Sequence, residues 1–364
     1  MSFCDLAVSG VAELQPYVPG KPIEELQRQY GVRDVIKLAS NENPLGPSKA
    51  ALAAVAKSAK EMTRYPDGNG YTLKMALAEK LRLSSEQITL GNGSNDVLEL
   101  LARAFAGHGD EVIYSEHAFA VYPLAVKAIG ATGIATPASD YGHDLKAMQK
   151  AISPRTKLIF IANPNNPTGT WIEPEEIQAF LEKVPEKVLV VLDEAYVEYL
   201  EQTENSVNWL QNFDNLIITR TFSKAYGLAG LRIGYALSHP EIADLLNRIR
   251  QPFNANSLAQ AAAVAALGDE AYLQESRQVN DAGMKQLTAG FERMGLKFIP
   301  SKGNFITVNV HTNAAEVYDE LLYEGVIVRP VAGYGLPQHL RVSIGLAEEN
   351  QRFLDALSKV LGRG

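Results

Sequence analysis

A chain of 364 residues, 46% hydrophobic and 21% charged, can bury more than one core, and its length favours two domains. A net charge of -8 with no basic run excludes a nucleic-acid surface, and a single cysteine, Cys4, excludes an intrachain disulfide. The amino terminus lacks the positive and apolar regions of a secretory signal, no stretch has the apolar length of a membrane span, and the six histidines show no metal-ligand spacing, so a soluble, cytoplasmic, metal-free protein is expected.

Gln15–Pro22 carries three prolines, which forbid a regular element and favour an extended arm with Tyr17 and Val18 as anchors. Val35–Ala39 is a short apolar run, and Ser40–Pro47 is a polar, proline-marked loop before a helical stretch from about Ser48 to Lys60. Arg64–Gly70 is a turn cluster that exposes Tyr65, either as a contact residue or as an ordinary loop tyrosine. Ile88–Leu90 then reads as a strand leading through Gly91-Asn-Gly-Ser-Asn-Asp96 into a helix from Val97 to Phe105. Strand, glycine loop and helix in that order point free backbone N–H groups at an anion. A helix cap by Ser94 or Asn95 explains the loop equally well. Asp96 stands where a dinucleotide fingerprint needs a third glycine, and the spacing of a nucleotide P-loop is absent.

Glu111–Tyr114, Thr132–Ala135, Lys157–Ala162, Val188–Leu192, Leu216–Thr219 and Ile233–Ala236 are further apolar runs. Their continuous apolarity suits strands covered on both faces. With Ile88–Leu90 they predict an α/β domain whose seven-stranded, mainly parallel sheet is covered by helices. After Gln251–Asn256 the pattern turns to alanine-rich and charged helix. The short alternating strands Leu296–Ile299, Phe305–Val310, Val326–Arg329 and Leu340–Ile344 follow, a smaller α+β domain. The expected division is an arm and part of the small domain over 1–45, a large domain over 46–250 and the small domain over 251–364.

Ligands of parallel sheets sit beyond the carboxyl ends of the strands, and the chemically loaded residues cluster there: Ser94, Asn95, Phe119, Asn166, Asp193, Tyr196, Ser223 and Lys224. A lysine at a strand exit among small residues is poorly solvated, which lowers its pKa and makes Lys224 a candidate nucleophile toward a carbonyl. Thr221 and Ser223 offer hydroxyls and Arg232 a forked donor, a set that fits an anchored phosphate. Asp193 ends an apolar strand with a carboxylate that is expensive to bury unless a cation meets it. Asn166 before Pro167 is a plausible site for a cis peptide.

Asn166-Pro-Thr-Gly169, Asp193-Glu-Ala-Tyr196, Ser223-Lys224 and Arg232 occur in the order seen in pyridoxal-phosphate aminotransferases of fold type I. Together with Pro16-Tyr-Val-Pro-Gly-Lys-Pro22, Asn41-Glu-Asn-Pro-Leu-Gly46, Arg64-Tyr-Pro-Asp67 and Thr221-Phe-Ser-Lys-Ala-Tyr-Gly227, they make a chain that resembles the histidinol-phosphate aminotransferase family over nearly its whole length. The resemblance implies a Schiff base between Lys224 and pyridoxal 5'-phosphate, with Lys224 then acting as acid and base. Asp193 would pair with the pyridine nitrogen, Asn166 and Tyr196 would donate to the ring oxygen, and Phe119, where many relatives carry tyrosine, would stack on the ring. The phosphate would rest on Ser94, Asn95, Ser223 and Arg232, with Tyr65 reaching it from the other subunit of a homodimer with shared active sites. Tyr17, Arg329 and Arg341 would bind substrate. The implied reaction is reversible amino transfer between L-histidinol phosphate and 2-oxoglutarate, giving glutamate, in histidine biosynthesis. An aromatic amino-acid aminotransferase and a threonine-phosphate decarboxylase are the alternatives.

Overall fold

The computed structural model describes residues 3–8, 10–14, 20–200 and 205–362. Its main sheet contains β1 (Ile88–Gly91), β2 (Glu111–Ser115), β3 (Thr132–Thr136), β4 (Thr156–Ala162), β5 (Leu189–Asp193), β6 (Leu216–Thr221) and β7 (Gly234–Leu237), in the order β1-β7-β6-β5-β4-β2-β3. These are the seven expected runs. All neighbours are parallel except β7, which runs antiparallel to both β1 and β6.

Alternation of side chains across the sheet explains the uninterrupted apolar runs. Ile159, Ile161, Val190, Leu192 and Ile218 enter one core, whereas Leu158, Phe160, Val191 and Ile217 enter the other. The helix Ser94–Phe105 lies on the second face through Val97, Leu98, Leu100 and Leu101. It starts at Ser94 rather than Val97. Its cap is Gly93, at φ 81° and without a side-chain bond, so neither Ser94 nor Asn95 serves as the cap.

A second, four-stranded antiparallel sheet, in spatial order, holds Lys297–Ile299, Phe305–Asn309, Leu336–Ser343 and Arg329–Val331. Its core joins Ile306, Val308, Leu340 and Val342 to Leu287, Phe291, Phe353 and Leu357 on helices. The run Val326–Arg329, expected as one strand, divides: Val326–Ile327 pairs with Ile36–Lys37, while Arg329–Val331 pairs with Leu336–Ser343. The amino-terminal segment accordingly packs with the small domain, Leu26 and Ala39 joining Leu322 of helix Ala314–Tyr323 and Ile327 of the strand Val326–Ile327.

Helix Ser257–Leu267 lays Ala259, Ala262, Ala263 and Ala266 into the large-domain core against helix Lys49–Ser58. Alanine permits that close approach, so the change in composition after residue 250 marks a tight helix contact within the large core. Among the described residues no helix is long and apolar enough to cross a membrane.

Candidate active site

The carboxyl ends of β1, β4, β5 and β6 open onto a cavity of about 180 Å³. Ser94, Asn95, Phe119, Asn166, Asp193, Tyr196, Ser223, Lys224, Arg232 and Arg341 all line it, joined by Ser40, Asn41 and Thr221. Arg232 precedes β7, and because that strand is antiparallel its beginning lies at the same edge as the other strands' ends.

One end of the cavity is an anion cradle. The Arg232 guanidinium bonds Ser223 Oγ at 3.1 Å and lies against Gly93, where an added Cβ would fall 2.2 Å from its Nη2. At Gly234 a Cβ would fall 2.4 Å from the Ser94 amide nitrogen. Only glycine at both positions leaves the first N–H groups of the Ser94–Phe105 helix, its positive dipole end and the guanidinium open to one ligand.

Lys224 sits above this cradle, with Nζ donating to the Ser40 carbonyl at 3.1 Å and lying 5.8 Å from the Tyr196 ring centroid. Desolvation pulls its pKa from 10.5 to about 7, helped by the positive charges of Arg341 and Arg232 and opposed by Glu42 and Asp193. Asp193 accepts from Tyr122 Oη at 2.8 Å and from Thr219 Oγ1 at 3.1 Å, and the Ala195 amide also donates to it. Burial nevertheless raises its pKa from 3.8 to about 6, so a carboxylate held by neutral donors faces the cavity as a place for a cation.

Tyr196 accepts from Asn41 Nδ2 at 2.9 Å, which leaves its own proton to donate, and burial drives its pKa to about 12. Arg341 donates to Asn166 Oδ1 at 2.6 Å and to the Ala39 carbonyl at 2.7 Å, turning the Asn166 amide N–H₂ toward other acceptors. Both peptides preceding Pro164 and Pro167 are cis, the second as expected. Phe119 lines the cavity edge-on to Tyr122, with ring centroids 5.9 Å apart.

Two expected site residues stand apart from this cavity. Arg329 does not line the cavity; it is half-buried, pairs across the sheet with Arg341, and its charge acts on Tyr318. Tyr65 lies outside the cavity, 82% exposed and stacked on Phe253. Tyr17 lies outside the described residues. Conversely, Tyr122, Thr219, Asn41 and Ser40 hold the central groups although no role was assigned to them from sequence. The only signal was their neighbourhood to quoted motifs, since each acts through a contact far along the chain.

The model of the family "aminotransferase class I and II" matches residues 33–357. Histidinol-phosphate aminotransferase 2 of Pseudomonas fluorescens (strain Pf0-1) is 59% identical, over 100% of this chain and 99% of its own. The chain belongs to the histidinol-phosphate aminotransferase family. Histidinol-phosphate aminotransferase 1 of Nitrosococcus oceani is similar too, at 58% identity over 99% of this chain and 98% of its own. Among solved structures, the family's enzyme from Sinorhizobium meliloti, in complex with pyridoxal-5'-phosphate, superposes with a TM-score of 0.89 at 32% identity, covering 96% of each chain. Thermus thermophilus aspartate aminotransferase with maleate gives 0.83 at 26% identity, covering 94% of this chain and 97% of that one. The fold is therefore that of the fold type I aminotransferases, the cofactor is pyridoxal 5'-phosphate, and the cavity offers an anion cradle, a lysine of lowered pKa and a buried carboxylate held by neutral donors.

Proposed function

We propose that the protein is a cytoplasmic, homodimeric, pyridoxal-phosphate-dependent aminotransferase that moves an amino group reversibly between L-histidinol phosphate and 2-oxoglutarate in histidine biosynthesis. The observation that carries the chemistry is the placement of Lys224, Asp193 and Arg341 around one cavity. The substrate follows from the whole-length similarity to enzymes named for it.

When bound, pyridoxal 5'-phosphate supplies an aldehyde for the amino group and a ring that accepts the electron pair left by deprotonation. Ser223, Arg232 and the N–H groups at the start of the Ser94–Phe105 helix would bind its phosphate. Asp193 would hold the proton on the pyridine nitrogen. Tyr196 and Asn166 would donate to the ring oxygen, and Phe119, which lines the cavity, would pack against the ring. Lys224 Nζ would hold the cofactor through its aldehyde carbon, with loss of water, and, once displaced by the substrate's amine, would carry the proton removed from the amine-bearing carbon. Arg341, a buried planar fork, would grip the substrate's anion, a phosphate in one half-reaction and a carboxylate in the other.

Histidinol phosphate should therefore exceed histidinol in kcat/KM by at least tenfold and up to about a hundredfold. Losing one charge-assisted contact costs about 1.5–3 kcal/mol. Arg341→Gln should shrink that ratio. Faster turnover of phenylalanine would move the assignment to an aromatic aminotransferase, and carbon dioxide release without an oxo-acid acceptor would move it to a decarboxylase.

Tyr65, exposed and remote from its own cavity, is read as completing the phosphate site of a second copy. Co-expressed Lys224→Ala and Tyr65→Ala chains, each inactive alone, should then regain activity, because one site of the mixed dimer holds an intact lysine and an intact tyrosine. Persistent inactivity of the purified mixed dimer would end the shared-site reading.

A further inference from the structure

Tyr65 and Phe253 are two large aromatic residues left in water, 82% and 44% exposed, and they stack at 4.7 Å between centroids with 21° between planes. Phe253 adopts φ +59°, a backbone region that bulky residues rarely occupy and that surrounding contacts must impose. Those contacts are visible. Arg250 Nη1 bonds Asn254 Oδ1 at 2.9 Å, while its Nη2 bonds the Gly68 carbonyl at 2.6 Å. Asn254 Nδ2 bonds the Leu90 carbonyl at 3.1 Å and Asp96 Oδ2 at 2.8 Å. Gln260 bonds the Asp67 carbonyl at 3.1 Å, and Asp67 in turn accepts the Asn69 and Tyr71 amides. A Cβ at Gly68 would sit 3.3 Å from the Phe253 ring, so the ring lies against the Gly68 backbone and is also stacked on Tyr65.

We propose that Phe253 is a positioning residue for Tyr65: its ring, held in a strained backbone and backed by Gly68, fixes the tyrosine so that its hydroxyl meets the cofactor phosphate in the partner subunit's site. The inference rests on the shared-site reading of Tyr65. An exposed tyrosine on a turn otherwise samples several rotamers and contributes to a phosphate contact only in one of them. A flat neighbour at stacking distance removes that freedom before the ligand arrives. The same short segment also bonds Asp96 in the first turn of the phosphate-binding helix, so the tyrosine lent to one site and the cradle of the other are built on one support.

The test uses doubly tagged, co-purified hybrid dimers in which one chain carries Lys224→Ala, so that each dimer has a single lysine-competent site served by the Tyr65 of the Lys224→Ala chain. Cofactor is titrated into that site and followed by the absorbance of lysine-bound pyridoxal phosphate. Phe253→Ala on the Lys224→Ala chain should raise the cofactor Kd roughly 2- to 12-fold, as expected for freeing one ordered side chain. On the other chain it should leave Kd within twofold. Phe253→Tyr, which keeps the flat face, should restore the affinity, and Phe253→Leu replaces the alanine variant should that one not fold. Equal effects from both placements, or none from either, overturn the proposal. Tyr65→Phe in the same two placements separates the readings: if it acts only from the Lys224→Ala chain while Phe253→Ala and Phe253→Leu are silent, the positioning role alone falls. Silence of Tyr65→Phe in both placements sinks the shared-site reading with it.

Discussion

Lys224→Ala should lower transamination by roughly ten-thousand-fold or more, because in the proposed mechanism one amine performs both covalent attachment and proton transfer, and acid–base work alone is worth about a hundred- to ten-thousand-fold. No second lysine is among the described residues that line the cavity. The purified variant should also lack the absorbance of lysine-bound cofactor while melting close to wild type. A further expectation concerns pH. The amine attacks only when neutral, and its pKa of about 7 lies well below 10.5. Capture of an aldehyde by the cofactor-free protein should therefore rise with pH to a midpoint near 7 and be nearly flat above 8.5. Arg341→Gln should move that midpoint upward, since Arg341 is the largest electrostatic contributor holding it down. Wild-type turnover in Lys224→Ala would remove the lysine from the mechanism altogether.

Asp193→Asn should cost about a hundred- to ten-thousand-fold in kcat, because an amide cannot hold the proton on the pyridine nitrogen. Its effect on stability runs the other way. The folded chain binds the Asp193 proton more tightly than the unfolded chain, with a pKa of about 6 against 3.8. The resulting cost is absent below pH 3.8, grows between 3.8 and about 6, and is fully present above 6, where it amounts to about 3 kcal/mol. The asparagine variant carries no such charge. Without cofactor it should melt no earlier than wild type at pH 8, and any advantage should vanish by pH 4. A variant with lost activity and unimpaired folding marks a carboxylate that serves the reaction; near-normal turnover would make Asp193 structural.

The sheet was legible because its strands are apolar on both faces, and Leu158 to Ala162 or Val190 to Leu192 admit no other placement in a folded chain. Lys224, Asp193 and Asn166 were legible as polar residues stranded at the ends of such runs. What sequence could not supply were contacts that cross the fold. Tyr122 reads as an ordinary helical residue until its hydroxyl is seen on Asp193, and Asn41 as one of several loop asparagines until it reaches Tyr196. Arg329 and Arg341 were both expected as anion ligands from the family resemblance; the two stand opposite each other in the sheet, and of the pair Arg341 lines the cavity. The single run at Val326–Arg329 likewise hid two pairings with different partners.

The segment that threads from Ile36 to Asn43 also sets the order in which the protein can be made. Its pairing with Val326–Ile327, and the bonds of Asn41 to Ser343 and Asn304, join residues as many as 302 positions apart. The main sheet is complete once Leu237 has emerged, and Lys224 and Tyr196 are then present to bond Ser40 and Asn41, but Asn304, Ser343 and the cavity-lining Arg341 are absent until the strand ending at Ser343 exists. At ~5–20 residues per second that interval of about 100 residues lasts roughly 5–20 s. During it the cavity lacks the wall that Arg341 supplies, and with it one of the positive charges that lower the Lys224 pKa.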